Sequence, residues 1–206
     1  MRILYIDTSS SFLHSAIVED NTLLASVSED YGQSLSEIAL PKIVEMFEKT
    51  NLSPKDVDKI IVVNGPGSFT GIRIGITIAK VYAWSLNIPI TTISSLEAMS
   101  ISSEEKKAHI PILNARRGYV YGAIYDEDQN TIFEPKHIKW EDLKKEVEKL
   151  NNYELISNDE FEEELVLSSY TPNFVKIVEK FKDKKDLNPH AVNPEYLKLT
   201  EAEEKL

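Results

Sequence analysis

The sequence feature that most constrains the fold is a glycine-rich segment at residues 64–75, Asn-Gly-Pro-Gly-Ser-Phe-Thr-Gly-Ile-Arg-Ile-Gly, which holds four of the seven glycines of the chain. A short apolar run, Ile60–Val63, precedes it, and a stretch without proline follows it. Gly65 and Gly67 can adopt positive φ, and the proline between them fixes the turn. The segment therefore predicts a buried strand, a tight turn and a helix over residues 68–86, as in α/β folds.

This turn resembles an anion-binding turn at the start of a helix, but it matches none of three common motifs. A Walker loop is excluded because no Gly-Lys-Ser/Thr follows. The dinucleotide fingerprint is excluded because Thr70 stands where its third glycine would be. A nucleophile elbow is excluded because Pro66 lies two residues before Ser68, where that motif has glycine.

A second polar segment, Asp7-Thr8-Ser9-Ser10, follows the predicted first strand. An acidic residue at a strand end, followed by hydroxyls, can hold phosphate through backbone N–H groups and a cation through its carboxylate. The same residue types also form ordinary turns, so both interpretations stay open here. The candidate phosphate-binding residues are Asp7, Thr8, Ser9, Gly65, Gly67 and Ser68.

The remaining pattern predicts a mixed sheet with helices packed on it, because a hairpin meander is followed by alternating strands and helices. In the first half we expect a helix at 34–50 and strands at 2–7, 11–19, 22–28, 59–64 and 90–93. In the second half we expect helices at 141–150 and 173–182 and strands at 108–114, 118–125, 131–138 and 153–157. A polar run at 100–107 marks the expected boundary between lobes 1–103 and 104–206.

Composition excludes several classes of function. Cysteine is absent, so a disulfide, a zinc–thiolate site and a catalytic thiol are excluded. The four histidines are isolated, so no metal site is expected from them. A net charge of −11 disfavours a protein that grips nucleic acid alone. No apolar run reaches about 18 residues, so no membrane contact is expected, and without a signal-like leader the expected compartment is the cytoplasm.

Small residues recur at every fourth position of the predicted second helix, at Gly71, Gly75, Ala79 and Ala83. Such a stripe lets another backbone approach closely, either from the protein's own sheet or from a partner. The helix carries few charges, and one sheet face does not easily cover all of its apolar directions. We therefore expect an exposed apolar patch on this helix and the helix at 34–50, as at protein interfaces.

Two adjacent arginines, Arg116 and Arg117, stand in the segment Asn-Ala-Arg-Arg-Gly-Tyr at 114–119, between two predicted strands. They are either plain turn residues or groups that meet an acidic partner or RNA.

Several motifs together resemble the bacterial TsaB (YeaZ) family: Ile-Asp-Thr-Ser-Ser at 6–10, Gly-Pro-Gly-Ser-Phe-Thr-Gly-Ile-Arg-Ile-Gly at 65–75, Ser-Ser-Leu-Glu-Ala at 94–98, Asn-Ala-Arg-Arg-Gly-Tyr-Val-Tyr at 114–121 and Pro-Glu-Tyr-Leu-Lys at 194–198. The resemblance implies a two-lobed α/β fold of the actin, sugar-kinase and chaperone-ATPase type, with mixed sheets flanked by helices. It also implies work in the modification that makes threonylcarbamoyl-adenosine beside the anticodon of tRNA. The implied partners are a catalytic paralogue, TsaD, and a small ATPase, TsaE.

The chain departs from the catalytic paralogue at its metal ligands. Where that paralogue has His-Leu-Glu-Gly-His, this chain has Ser95-Leu96-Glu97-Ala98-Met99, and a hydroxyl and a thioether make a poor hard-metal site. No glycine follows Gly122, so the late adenosine loop of the fold has no usual form here. Leu35 and Asn114 also differ from common family residues, where His and Asp are frequent.

The resemblance therefore favours a non-catalytic scaffold that uses no metal or cofactor, retains at most a vestigial phosphate site, and touches tRNA only through its complex. Alone, it is expected to form a homodimer through the same surface. The expected partner surface comprises Leu35, Ile38, Lys42, Met46, Phe69, Gly71, Ile72, Arg73, Gly75, Ile78, Ala79 and Tyr82. Two alternatives remain: a nucleotide-binding ATPase or kinase-like enzyme, favoured by Asp7 and the glycine turn, and a metalloprotease, which no HExxH motif supports.

Overall fold

The computed structural model describes residues 1–198. The first part forms strands β1 (Arg2–Asp7), β2 (Phe12–Glu19), β3 (Thr22–Asp30), β4 (Lys59–Val63) and β5 (Ile90–Ile93), and helices α1 (Leu35–Thr50), α2 (Phe69–Leu86) and α3 (Ser95–Ser102). The second part forms strands β6 (Ala108–Asn114), β7 (Tyr119–Tyr125), β8 (Thr131–Lys139) and β9 (Tyr153–Ile156), and helices α4 (Trp140–Val147) and α5 (Phe174–Phe181). These elements match the predicted ones in type and order.

The first sheet has the strand order β3-β2-β1-β4-β5. The pairs β1–β2 and β2–β3 are antiparallel, whereas β1–β4 and β4–β5 are parallel. Every residue of β4 is buried, in line with its continuous apolar sequence. The predicted mixed sheet in the first half of the chain is therefore confirmed.

The second sheet has the order β8-β7-β6-β9, with antiparallel β6, β7 and β8 and with β9 parallel to β6. Helix α4 covers one face of this sheet through Leu143, which is fully buried. At Gly122 of β7, an added Cβ would come within 2.6 Å of a Leu143 methyl carbon. Glycine at position 122 thus lets α4 pack closely against the sheet.

The described chain forms two compact units, and the first is discontinuous in sequence. It comprises Met1–Ser95 and Pro172–Glu195, whereas the second comprises Leu96–Thr171 and the described residues after Glu195. The sequence-based division at residues 103 and 104 differs from this, because α5 belongs with the first sheet. The Phe174 ring of α5 lies 5.7 Å from the Tyr5 ring of β1.

A segment after α5, residues 184–195, runs along the first unit, and we call it the strap. Lys59 of β4 is buried, and its Nζ lies 2.8 Å from Asp186 Oδ1. Lys80 Nζ of α2 donates to the Val192 carbonyl at 2.9 Å. These charge-assisted contacts fasten the strap across β4 and α2.

Helices α1 and α2 pack on the first sheet and on each other. Ala39, Ile43, Met46 and Phe47 supply the buried stripe of α1 at three- and four-residue spacing. Both helices end at an asparagine in the left-handed conformation, Asn51 and Asn87. Within residues 1–198, none of the helices combines the length and the apolarity needed to span a bilayer.

Candidate functional site

The two polar segments singled out in the sequence meet in the first unit. Ser9 lies after β1, and its carbonyl accepts a hydrogen bond of 2.7 Å from the Ser68 amide. Gly67 has φ +152°, and a Cβ added there would lie 2.2 Å from the Ser9 carbonyl oxygen. The turn after β1 and the glycine turn before α2 are therefore packed backbone against backbone.

Thr8 continues this contact along the first turns of α2. Its hydroxyl donates to the Gly71 carbonyl at 2.7 Å and accepts from the Gly75 amide at 2.9 Å. A Cβ added at Gly71 would lie 2.1 Å from the Thr8 carbonyl oxygen. The small stripe of α2 thus receives the protein's own β1 turn, which is the first of the two alternatives that the sequence left open.

The candidate phosphate residues are adjacent, but many of their hydrogen-bonding groups serve the fold. Asp7, Thr8 and Ser9 are buried. The Ser9 amide donates to Asp7 Oδ1 at 2.8 Å, and Ser68 Oγ caps α2 by accepting from the Gly71 amide at 3.1 Å. Backbone amides that a phosphate would use at such a turn are thus engaged within the protein. A vestigial phosphate site stays a prediction.

Asp7 also lies near a buried histidine on β2. The Tyr5 hydroxyl lies 3.4 Å from Asp7 Oδ2, and His14 Nδ1 lies 2.9 Å from Ser28 Oγ. Burial lowers the pKa of His14, and the nearby Asp7 carboxylate partly opposes that effect. The carboxylate thus stands in an enclosed polar cluster.

Ser95 and Met99 stand where the resemblance implies metal-ligating histidines in the catalytic paralogue, and both make contacts that stabilise the fold. Ser95 Oγ donates to the Pro66 carbonyl at 2.6 Å, and the Ser95 amide donates to the Gly65 carbonyl at 2.9 Å. Met99 is buried in an apolar cluster of the second unit. Across residues 1–198, no three His, Asp or Glu side chains are grouped so that they could hold a metal ion.

The structure corrects half of the expected partner surface. Six of its residues are buried in the first unit because they face the sheet or its turns: Leu35, Met46, Gly71, Ile72, Gly75 and Ala79. Phe69 and Arg73 are exposed, and the Arg73 guanidinium lies 3.7 Å from the Phe69 ring centroid. The other four, Ile38, Lys42, Ile78 and Tyr82, are half-buried.

An apolar surface does exist on these helices, at the junction between them. Phe47 of α1 stacks on Tyr82 of α2 with ring centroids 6.4 Å apart, so the helix flanks that carry these rings face each other. Helical spacing places further apolar side chains along the same flanks. We call this surface the seam, and it comprises Leu40, Val44, Ile74, Ile78, Val81 and Tyr82.

The seam contains residues that sequence reasoning missed. Leu40, Val44 and Val81 are 44%, 41% and 56% exposed, and none of them was in the expected surface. Four-residue spacing of Leu40 and Val44 was the available signal. Ile38 and Lys42 lie on the opposite flank of α1 by the same spacing, and Lys42 pairs with Glu45 at 2.9 Å.

The arginine pair of the second unit lies in the tight turn between β6 and β7. Asn114 orders the start of this turn, because its amide donates to Asp159 Oδ2 at 2.7 Å and its Oδ1 accepts from the Arg116 amide at 2.8 Å. Burial raises the pKa of Asp159. Arg116 and Arg117 are both exposed.

The chain is similar to a family model and to proteins of known name. The family model described as TsaD, tRNA N6-adenosine threonylcarbamoyltransferase, matches residues 27–187. The chain is 32% identical to the tRNA threonylcarbamoyladenosine biosynthesis protein TsaB of Bacillus subtilis, over the whole of this chain and 97% of that protein. It is 34% identical to the Escherichia coli protein of the same name, over 65% of this chain and 58% of that protein.

Among solved structures, a Pseudomonas aeruginosa protein described as similar to the peptidase YeaZ matches with a TM-score of 0.77. The identity is 17%, and the match covers 96% of this chain and 99% of that one. A likeness at this identity concerns the fold. The predicted α/β fold, with two mixed sheets flanked by helices, is confirmed.

Proposed function

Because the chain belongs to the TsaB (YeaZ) family, we propose that it works in the biosynthesis of threonylcarbamoyladenosine in tRNA. Within that process it acts as a non-catalytic subunit that pairs with a TsaD-like catalytic paralogue. A TsaE-like ATPase joins the pair, and tRNA modification depends on the assembled complex. In the absence of the paralogue, the same surface forms a homodimer.

The observation that carries this proposal is the seam. Three of its side chains, Leu40, Val44 and Val81, are over 40% exposed although they are apolar. Next to them, buried Phe47 stacks on Tyr82, and burial raises the pKa of Tyr82. Exposed apolar side chains on two helices that pack against each other favour a helical partner surface, as in interfaces with a buried apolar centre.

Two further observations support the non-catalytic part. At the positions of the paralogue's metal-binding histidines, Ser95 is held by the Pro66 carbonyl and Met99 is buried in an apolar cluster. Thr8 bridges two backbone groups of α2 with its only hydroxyl. These groups therefore contribute to folding rather than to a reacting centre.

The test places a charge in the seam with Val81→Glu. Because Val81 is 56% exposed, the variant should fold normally, while an unpaired carboxylate buried on association should weaken pairing with the TsaD-like paralogue at least about thirtyfold. Ile132→Glu is the matched control, since Ile132 is also a β-branched residue and is 54% exposed on β8. Titration calorimetry measures pairing, and analytical ultracentrifugation measures the homodimer.

The same two variants should then be expressed in cells depleted of the native protein. We expect Ile132→Glu to restore the modified nucleoside in digested tRNA and Val81→Glu to fail. A folded Val81→Glu protein that pairs normally would refute the seam as the partner surface. Normal nucleoside levels after depletion, with no variant supplied, would refute the proposed function itself.

A further inference from the structure

We propose that the second unit carries a contact site for single-stranded RNA, formed by the β6–β7 turn and the adjoining sheet face. We call it the platform, and it comprises Arg116, Arg117, Tyr119, Tyr121, His137 and Lys139. The arginines contact phosphate, and the aromatic rings stack on bases. The proposal rests on the proposed function in taking RNA as the natural ligand.

The backbone of the β6–β7 turn is held at positive φ. Arg116, Arg117 and Gly118 have φ of +66°, +55° and +74° in succession. Residues with a Cβ disfavour this region, and asparagine and glycine adopt it most readily. Arginine at two such positions is unfavourable for the fold. The residue type therefore points to a role for the two side chains outside the fold.

Both guanidinium groups of the turn are exposed and can meet an anionic ligand. In residues 1–198, no carboxylate lies within ion-pairing distance of Arg116 or Arg117, although the whole chain has 34 acidic residues. A cavity of about 360 Å³ beside the turn is lined by Glu141 and Glu163 among others. Lys144 binds both of these carboxylates, at 2.7 and 3.0 Å. Two of the three carboxylates that line this cavity, Glu141 and Glu163, are thus already paired with Lys144, and Glu162 is the third.

An aromatic face lies on β7 and β8 next to the turn. Tyr119 pairs with Lys139 and Tyr121 with His137 across β7 and β8, so the four side chains share one face. The Tyr119 and His137 rings are stacked, with centroids 4.8 Å apart and planes 11° apart. The Tyr121 ring lies 5.3 Å from His137. All three rings are half-buried, so each keeps accessible surface.

These features together favour single-stranded RNA over other anionic partners. Flat aromatic rings on a sheet, next to guanidinium groups, can stack unpaired bases while the cations meet the phosphates. A duplex hides its bases and is gripped mainly through phosphates, for which a chain of net charge −11 is poorly suited.

The test removes the arginines without disturbing the turn, with the double variant Arg116→Asn, Arg117→Asn. The full-length chain is titrated into a fluorescein-labelled ten-nucleotide single-stranded RNA at low salt. We expect the variant to bind about tenfold more weakly, and its salt dependence to fall by roughly 1.4 in logarithmic slope because two phosphate contacts are lost. Thermal stability should be equal or higher, because asparagine suits positive φ.

A matched control removes two positive charges elsewhere in the same unit, with Lys145→Asn on the exposed face of α4 and Lys149→Asn in the turn just after it. That variant should bind RNA like the unmodified chain if the site is local. Tyr119→Val keeps a strand-forming residue and removes one ring, so it should bind about tenfold more weakly. The annealed duplex of the same RNA should compete poorly.

Three outcomes would overturn the proposal: no binding of the unmodified chain to the RNA at low salt, equal losses for the arginine and lysine variants, or an arginine variant that binds RNA normally but no longer binds the TsaD-like paralogue. The last outcome would identify an acidic protein partner instead. Val81→Glu should bind the RNA normally, so failure of the seam and failure of the platform are distinguishable.

Discussion

Among the turns that hold their backbone at positive φ, two differ in the residues that occupy them. The turn before α2 has glycine at 65 and 67, with φ of +124° and +152°. The turn between β6 and β7 has Arg116 and Arg117, with φ of +66° and +55°. The φ values of Gly65 and Gly67 are accessible almost only to glycine, whereas those of the arginines lie in the left-handed region that residues with a Cβ adopt at a cost. The difference in residue type also has a cause besides the backbone.

The surroundings supply that cause. An added Cβ would meet the Ser9 carbonyl at 2.2 Å from position 67 and the Glu195 carbonyl at 2.7 Å from position 65. The arginines stand exposed at the end of a hairpin. At the enclosed turn the fold itself dictates the residue. At the open turn the fold would be better served by asparagine or glycine, so the fold alone does not account for the arginines.

The largest effect is expected at the enclosed turn, for Gly67→Ala. The added methyl group would press on the Ser9 backbone and would hold alanine at an unfavourable φ, so the free energy of unfolding should fall by about 2–5 kcal/mol. Gly32→Ala is the control, because Gly32 has φ +51° but nothing within 4 Å of an added Cβ. Urea denaturation compares them, and equal losses would mean that strain alone acts at both sites.

A smaller effect is expected for Thr8→Val. This change removes the hydroxyl that bridges Gly71 and Gly75, and the free energy of unfolding should fall by about 1–2 kcal/mol because buried backbone groups lose a partner. Thr8→Ser keeps the hydroxyl and should retain most of that stability. If serine proves as damaging as valine, then the methyl group rather than the hydrogen bonds secures the junction.

The smallest effect, of opposite sign, is expected at the open turn. Arg117→Gly should raise the free energy of unfolding by about 0.5 kcal/mol, since relief at positive φ is partly offset by the greater freedom of glycine in the unfolded chain. Asn21→Gly, in the β2–β3 turn at φ +66°, is the control and should be nearly neutral. A destabilised Arg117→Gly protein would show that the arginine serves the fold after all.

Much of the architecture was predictable because it is written in local periodicity. The buried run of β4, the four-residue spacing of α1 and the turn between Gly65 and Gly67 each indicate one element. Their order then restricts the sheet to a mixed one. Nothing in this inference depends on which distant residues meet.

The errors arose where distant residues decide the outcome. The stripe at Gly71, Gly75 and Ala79 was rightly recognised as a close-packing surface, but a smooth helix face looks the same whichever backbone it receives. Only the fold brings Thr8 onto it. Val81 was missed because α2 is apolar on several sides, so the sequence does not distinguish seam from core there. Leu40 and Val44 of α1 were missed although their four-residue spacing was an available signal.

The site shows the same limit. The sequence located the turn that holds Arg116 and Arg117, but it did not reveal their positive φ, because arginine is uncommon there. Nor did it reveal that α5 and the strap return to the first sheet. That return depends on contacts such as Lys59 with Asp186, which join residues far apart in the chain.

The strap also sets the order of events during translation. Residues 96–171 are synthesised before residues 172–195, which the first unit needs for completion. At about 5–20 residues per second, roughly 5–20 s separate the emergence of Ser95 from that of Glu195. In that interval β1 lacks Phe174, and the buried ammonium of Lys59 lacks its acidic partner. The nascent first unit is therefore completed only after residues 96–171 of the second unit have been synthesised, so the strap is the last segment of the first unit to be added.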